Sequence, residues 1–152
     1  MPLVLACESP DSDDIRSLIA ALGAELTSAY GEDAASYFQP ADLEVPRAAF
    51  VVVRDAGVAV GCGALRQLTE EDAEIKRLYV APAFRRRGIS RRILTALEEL
   101  AVNFGYTRVL IETGKFQTAA LALYRAAGFQ EIPAYGPYHE NPNSICFEKE
   151  LC

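Results

Sequence analysis

The first stretch of the chain with a regular apolar pattern predicts an amphipathic helix. Ser9 is a suitable N-cap, Pro10 a suitable first helical residue, and Gly31 would end the helix. Between them, apolar residues recur three or four positions apart, at Ile15, Leu18, Ile19, Leu22 and Leu26. Residues 32–46 show no clear period and are compatible with a short second helix followed by a loop.

The apolar pattern then changes to that of strands. Residues 49–54 and 58–65 are rich in β-branched and small apolar side chains and flank the sequence Asp-Ala-Gly, which is typical of a hairpin turn. Residues 73–80 form a third predicted strand, in which alternation gives the two faces different side chains up to Val80. Pro82 would end that strand because proline has no N–H to donate to a neighbouring strand.

The second half of the chain alternates between helical and strand patterns. The predicted elements are a helix over residues 89–104, a strand over 109–111, a helix over 118–127 and strands over 129–132 and 144–151. A parallel crossover through the first of these helices would place strand 109–111 beside strand 73–80. We therefore predict an α+β fold with a mixed, mostly antiparallel sheet of about six or seven strands flanked by helices.

Composition narrows the class of protein. With 152 residues, 51% hydrophobic and 24% charged, the chain should form a single domain over residues 1–152. No stretch approaches the roughly 20 apolar residues of a membrane span, and Met1 to Glu8 lack the basic flank of a leader, so we expect a cytoplasmic protein without a membrane partner. The four cysteines lack paired spacing and His139 is the only histidine, so no metal site is predicted.

The net charge of −6 argues against a nucleic-acid partner, yet the basic residues are concentrated. Five of the 15 Lys and Arg residues lie in the run RRRGISRR, which begins at Arg85. This run comes after a predicted strand and opens a predicted helix, whose free N–H groups attract anions, and Gly88 would let a phosphate approach the backbone. Neither GxxxxGK[ST] nor GxGxxG is present, so the run predicts a pyrophosphate site of another kind.

Residues 73–129 resemble the cofactor-binding half of the GNAT family of N-acetyltransferases. The family signature [QR]-x-x-G-x-[GA] is matched by Arg85 and Gly88, with Ser90 in place of the last Gly or Ala. After the next strand the family has an asparagine, an alanine, Leu-Tyr and Gly-Phe. Here those positions hold Gln117, Ala120, Leu123-Tyr124 and Gly128-Phe129.

The resemblance implies roles for individual residues. Tyr124 would be the general acid that protonates the departing CoA thiolate, and Glu74 would assist deprotonation of the acceptor amine, directly or through a water. The backbone of residues 78–80 would line the pantetheine arm, with an N–H near Val80 at the developing oxyanion. The implied cofactor-binding residues are Leu78, Tyr79, Val80, Arg85, Arg86, Arg87, Gly88, Ile89, Ser90, Gln117 and Ala120. In the loop 134–143, Tyr138 and His139 would lie near the acceptor.

The expected function is transfer of an acetyl group from acetyl-CoA to a primary amine of a small molecule or peptide, by direct attack in a ternary complex. Ser90 and Gln117 leave room for an alternative, a non-catalytic acyl-CoA-binding module. An acetyltransferase that acts on nucleic-acid assemblies is disfavoured by the acidic balance. The sequence does not identify the acceptor, and a homodimer through the last strands stays open.

Overall fold

A computed structural model describes residues 3–30 and 45–151, and within them the chain forms seven strands and three α-helices. The strands are β1 (Leu3–Cys7), β2 (Ala49–Asp55), β3 (Val58–Gln67), β4 (Asp72–Val80), β5 (Arg108–Gly114), β6 (Gln130–Ile132) and β7 (Ser144–Glu150). The helices are α1 (Asp13–Tyr30), α2 (Ile89–Asn103) and α3 (Thr118–Ala126). No helix in these parts of the chain is long and apolar enough to cross a membrane.

All seven strands belong to one mixed sheet, in the order β1-β2-β3-β4-β5-β7-β6. Every neighbouring pair is antiparallel except β4 and β5, which run parallel and are connected through α2. The predicted α+β class, the mixed sheet and the parallel crossover are therefore confirmed.

At the start of the chain one strand was not predicted, and the predicted start of one helix is wrong. Residues Leu3–Cys7 form an edge strand on β2, which the sequence analysis did not predict because these five residues, none of them buried, carry too short an apolar pattern. Helix α1 begins at Asp13, three residues after the predicted first helical residue, Pro10. The helical hydrogen bond at this end runs from the N–H of Arg16 to the carbonyl of Ser12, so Ser12 directly precedes the helix. The ambiguous segment 32–46 and Gly31 lie almost wholly outside the described residues.

The core has two parts, one on each face of the sheet. Helices α2 and α3 cover one face, where buried residues of all the central strands meet them around Ile93, Leu97 and Phe147. Helix α1 covers the other face with Ile15, Leu18 and Leu22, against side chains of β2, β3 and β4. The apolar stripe predicted for α1 is thus the buried face of this helix, and α2 likewise buries one apolar face.

Strand β4 contains a β-bulge, so its side chains do not alternate up to Val80 as predicted. Between Lys76 and Tyr79, β4 has two residues where β3 has only Gly63. Arg77, the first of them, has a φ of 57°, in the left-handed region that residues other than glycine rarely adopt. The extra residue changes the face on which the last side chains of β4 lie, so Tyr79 packs with α1.

Strands β4 and β5 pair over only part of their lengths. Asp72 to Ile75 pair in register with Arg108 to Ile111, whereas β4 continues to Val80 and β5 to Gly114. Beyond Ile75 the two strands part, and backbone groups that a neighbouring strand would have satisfied face an opening. This opening positions the candidate site.

Candidate active site

The opening between β4 and β5 is bordered by the backbone of Leu78, Tyr79 and Val80. On this stretch β4 is paired with β3 alone, so its other edge offers peptide groups to a ligand. An extended chain with amide groups, such as the pantetheine arm, can hydrogen-bond to such an edge as an added strand would. The three residues predicted to line that arm therefore lie at a suitable edge.

The predicted pyrophosphate site lies at the start of α2. After a short 3-10 helix at Pro82–Phe84, Arg86 has a φ of 65° and Gly88 a φ of 76°, and these left-handed residues turn the chain into α2. No side chain in the described part of the chain caps the N-terminus of α2, so its first N–H groups have no side-chain acceptor there. Ile89 is buried and would contribute only its backbone, while Ser90 is half-buried.

The three arginines before Gly88 have different surroundings. Arg85 is already engaged: its Nε donates to the Val80 carbonyl at 2.9 Å, and its guanidinium forms an ion pair with Glu25 of α1 at 2.7 Å. Arg86 and Arg87 are exposed beside the helix start. Arg85 therefore ties the loop to α1 and β4, and the other two arginines are better placed for phosphate oxygens.

The first residues of α3 lie at the far side of the opening. The Gln117 side-chain Oε1 accepts the Gly114 N–H at 3.0 Å and the Thr113 hydroxyl at 3.3 Å, which closes the turn between β5 and α3. Ala120 lies one turn later and packs against the core. The carbonyl half of Gln117 thus serves the turn, and its amide N–H groups have no acceptor among the described residues.

Tyr124 lies one turn beyond Ala120 on α3 and is 4% exposed. Its ring packs against Phe129 and, edge on, against Phe147, with centroids 6.0 and 5.8 Å away. Burial, and then the negative charge of Glu112, raise the pKa of Tyr124, so its hydroxyl stays protonated at neutral pH. Within residues 3–30 and 45–151, the hydroxyl donates to no other residue.

Glu74 is fully buried on the face of the sheet opposite α2, with both carboxylate oxygens engaged. Its Oε1 accepts from Arg66 on β3, 2.8 Å from Nε and 2.7 Å from Nη2. Its Oε2 accepts the hydroxyl of Tyr135 at 2.6 Å. A water or amine would therefore reach Glu74 by way of Tyr135, or after Tyr135 moves.

Further polar residues that the sequence analysis did not select surround Glu74. Lys76, two residues along β4, hydrogen-bonds to the Tyr138 hydroxyl, and burial lowers its pKa. Glu112 on β5 accepts the Ser144 hydroxyl at 2.6 Å, and burial raises its pKa. The spacing of two between Glu74 and Lys76 was the only sequence signal for this group, since its other members lie on β3, β5 and β7 and in the loop before β7.

Of the two residues predicted near the acceptor, the structure places one inside this cluster. Tyr138 is completely buried, packs edge-on against Tyr135 at a centroid distance of 5.3 Å and contacts Lys76. His139 is exposed at the end of the short 3-10 helix Gly136–Tyr138, where its N–H donates to the Gly136 carbonyl. Among the described residues, no group of three or more His, Cys, Asp or Glu could hold a metal ion.

Comparison with known proteins identifies the family. The profile of the acetyltransferase (GNAT) family matches residues 15–129. An IAA acetyltransferase of Azospirillum brasilense is 38% identical over 99% of this chain and 100% of its own length. The N-acetyltransferase YsnE of Bacillus subtilis, itself uncharacterised, is 32% identical over 72% of this chain and 74% of its own.

Solved structures agree in fold. A Klebsiella pneumoniae protein described as an acyl-CoA N-acyltransferase superposes with a TM-score of 0.82 at 32% identity, over 99% of this chain and 98% of that one. A GNAT acetyltransferase of Elizabethkingia anophelis with acetyl-CoA bound has a TM-score of 0.71 at 18% identity, over 98% of each chain, and shows the shared fold.

The chain belongs to the GNAT family of acetyltransferases. It is an acyltransferase for which acetyl-CoA is the co-substrate, and it acts on a small-molecule or other amine acceptor, as this family does. The family and enzyme class expected from the sequence are confirmed.

Proposed function

We propose that this acetyltransferase binds acetyl-CoA in the opening between β4 and β5 and transfers the acetyl group directly to a primary amine in a ternary complex. The observation that carries the proposal is the parting of the two parallel strands after Ile75, where β4 leads into the turn before α2 and β5 leads into α3, the helix that carries Tyr124.

Donor binding would use three groups of residues. The N–H groups at the start of α2 and the exposed Arg86 and Arg87 would hold the pyrophosphate. The free edge of β4 from Leu78 to Val80 would hydrogen-bond the pantetheine amides, and the amide N–H groups of Gln117 would add a donor from the other side.

In the chemical step the amine nitrogen attacks the thioester carbonyl, the C–S bond breaks, and the sulfur leaves as a thiolate. A backbone N–H near Val80 would stabilise the negative charge that develops on the carbonyl oxygen. Tyr124 would donate its proton to the sulfur, since a buried neutral phenol is a suitable acid for a thiolate. Glu74, through Tyr135 or a water, would accept a proton from the attacking amine.

The acceptor would bind on the face of the sheet opposite α2. The Glu74 cluster, which comprises Glu74, Arg66, Lys76, Glu112, Tyr135 and Tyr138, offers polar contacts there. The name of the Azospirillum relative gives IAA as that protein's substrate, and IAA belongs in an acceptor panel together with simple amines, amino acids and peptides.

Several expectations from the sequence also stay proposals. Acetyl-CoA is an intracellular metabolite, which supports a cytoplasmic location, and the charge of −6 supports an enzyme without a nucleic-acid partner. A single sheet that includes strands from both ends of the described chain supports one domain. A homodimer and the absence of a membrane partner can be checked by light scattering with and without vesicles.

The test is calorimetric titration with acetyl-CoA, followed by a thiol-release assay across the acceptor panel. Gly88→Ala puts a side chain at the phosphate approach and should weaken acetyl-CoA binding about tenfold or more. Gly57→Ala is the matched control: its φ of 87° imposes the same backbone strain, it too has open space around it, and it lies in the β2–β3 turn. Equal binding by the two variants would contradict the phosphate site, and binding of acetyl-CoA without turnover of any acceptor would favour the non-catalytic module.

A further inference from the structure

The last residue of α1 reaches across the opening between β4 and β5. Helix α1 packs on β2, β3 and β4 through its buried side chains. Yet the side chain of Tyr30 contacts the end of β5 and the turn between β5 and α3, where its ring stacks on Phe116 at a centroid distance of 5.3 Å and an angle of 18°. One side chain thus connects the β4 side of the opening with the β5 side.

The hydroxyl of Tyr30 makes two hydrogen bonds to that turn. It accepts the backbone N–H of Phe116 at 2.9 Å and donates to the Gln117 Oε1 at 3.3 Å. Burial raises the pKa of Tyr30, so the phenol keeps the proton that the second bond needs. Both bonds end on the turn that leads into α3.

Gly114 leaves the space that the Tyr30 ring occupies. A Cβ at this position would lie 1.9 Å from the Tyr30 hydroxyl oxygen and 2.0 Å from the ring carbon that carries it. The backbone of Gly114 is not left-handed, so an alanine could adopt it without strain. The contact with Tyr30, rather than backbone conformation, therefore requires glycine here.

We propose that Tyr30 is a positioning residue for the co-substrate site: it fixes the β5–α3 turn so that the Gln117 amide and the start of α3 face the opening. The inference rests on the proposed function, because it takes the opening as the acetyl-CoA site. Tyr30 itself need not touch the reacting atoms. Its loss should therefore weaken acetyl-CoA binding and leave the chemical step intact once the site is filled.

The first test compares Tyr30→Phe with Tyr106→Phe by calorimetry and steady-state kinetics. Tyr30→Phe keeps the ring stack and removes the two hydrogen bonds, and should raise the Kd and KM for acetyl-CoA about 3- to 10-fold with kcat within about twofold of wild type. Tyr106 is buried and precedes β5, at the end of that strand opposite Gly114. Tyr106→Phe likewise removes a tyrosine hydroxyl, which donates to the Arg47 carbonyl at 2.8 Å. This control should bind acetyl-CoA as the wild type does.

The second test is a double-mutant cycle. Gly114→Ala should weaken binding at least as much as Tyr30→Phe, because the new methyl group displaces the ring. In a Tyr30→Ala background there is no ring to displace, so adding Gly114→Ala should weaken binding no further.

The outcomes separate this inference from the function on which it rests. Wild-type acetyl-CoA affinity in Tyr30→Phe, an equal loss in Tyr106→Phe, or additive losses in the cycle would overturn the positioning role while the proposed function stands. Failure of the wild-type protein itself to bind acetyl-CoA would overturn both.

Discussion

At the scale of single residues, burial decides which groups around the opening can exchange protons. Tyr124 is a buried phenol with an unpartnered hydroxyl among the described residues, and its raised pKa keeps it a donor. Glu74 is equally buried, but Arg66 and Tyr135 occupy its two oxygens. In the proposed mechanism Tyr124 would therefore protonate the thiolate directly, whereas Glu74 would act through a neighbour.

For Tyr124→Phe we expect kcat to fall about 100-fold, because the departing thiolate loses its proton donor. The acetyl-CoA Kd should stay within about twofold of wild type, since the ring keeps its packing against Phe129 and Phe147. Single-turnover thiol release and calorimetry on the same preparation measure both quantities. Unchanged turnover would remove Tyr124 from the mechanism.

For Glu74→Gln we expect kcat/KM for the amine to fall about 10- to 100-fold at neutral pH, where most of the acceptor is an ammonium ion that must lose a proton. The deficit should shrink as the pH approaches the acceptor's own pKa, because the amine then arrives neutral. The measurement is a pH–rate profile of both proteins, with the acetyl-CoA Kd as control for folding. A deficit of the same size at every pH would show that Glu74, paired with Arg66, has a structural role and is not the base.

At the scale of elements, charged side chains reinforce the one parallel strand pair where it is still closed. Arg108 at the start of β5 holds Asp72 on β4 through two bonds of 2.9 Å and Glu148 on β7 through one of 2.7 Å. The Arg108 hydrogen bond holds the pKa of Asp72 below its usual value. These bonds join three strands at the end where β4 and β5 are paired, and the opening lies at the opposite end of the two strands.

We expect Asp72→Asn to cost about 1 kcal/mol in the free energy of unfolding at pH 7, a modest value because Arg108 is 39% exposed. Since the folded-state pKa of Asp72 is depressed, its contribution is present above the unfolded value near 4 and is lost as the pH falls through the folded-state value. Urea unfolding from pH 7 downward should therefore show the two proteins converging. Glu99→Gln, an exposed carboxylate on α2, is the control and should show no such convergence.

At the scale of the whole molecule, the sheet separates two surfaces that meet at the opening. On one side lie α2, with the proposed phosphate-binding turn before it, and α3 with Tyr124. On the other side lie α1 with Tyr30 and the loop before β7, whose Tyr135 contacts Glu74. In the proposed function, donor and acceptor would approach the same point from opposite faces. This arrangement suits direct transfer in a ternary complex.

Much of the fold could be predicted because each of its signals is local. The apolar period of α2, the glycine at its start and the short buried run of β5 each depend on neighbouring residues alone. The edge strand β1 and the bulge at Arg77 could not be predicted, since each depends on pairing with another strand. Six of the predicted donor-site residues needed only the run that begins at Arg85.

The sequence by itself determined the family, and through that resemblance it proposed a donor-binding segment and Tyr124 as a candidate acid, because the motifs that carry the resemblance are properties of short segments. Only the tertiary structure decided which side chains meet across elements: Arg85 with Glu25, Glu74 with Arg66 and Tyr135, and Tyr30 over Gly114. The physical reason is that these contacts depend on strand register, on a bulge and on where a helix crosses the sheet, and packing of the whole chain sets all three.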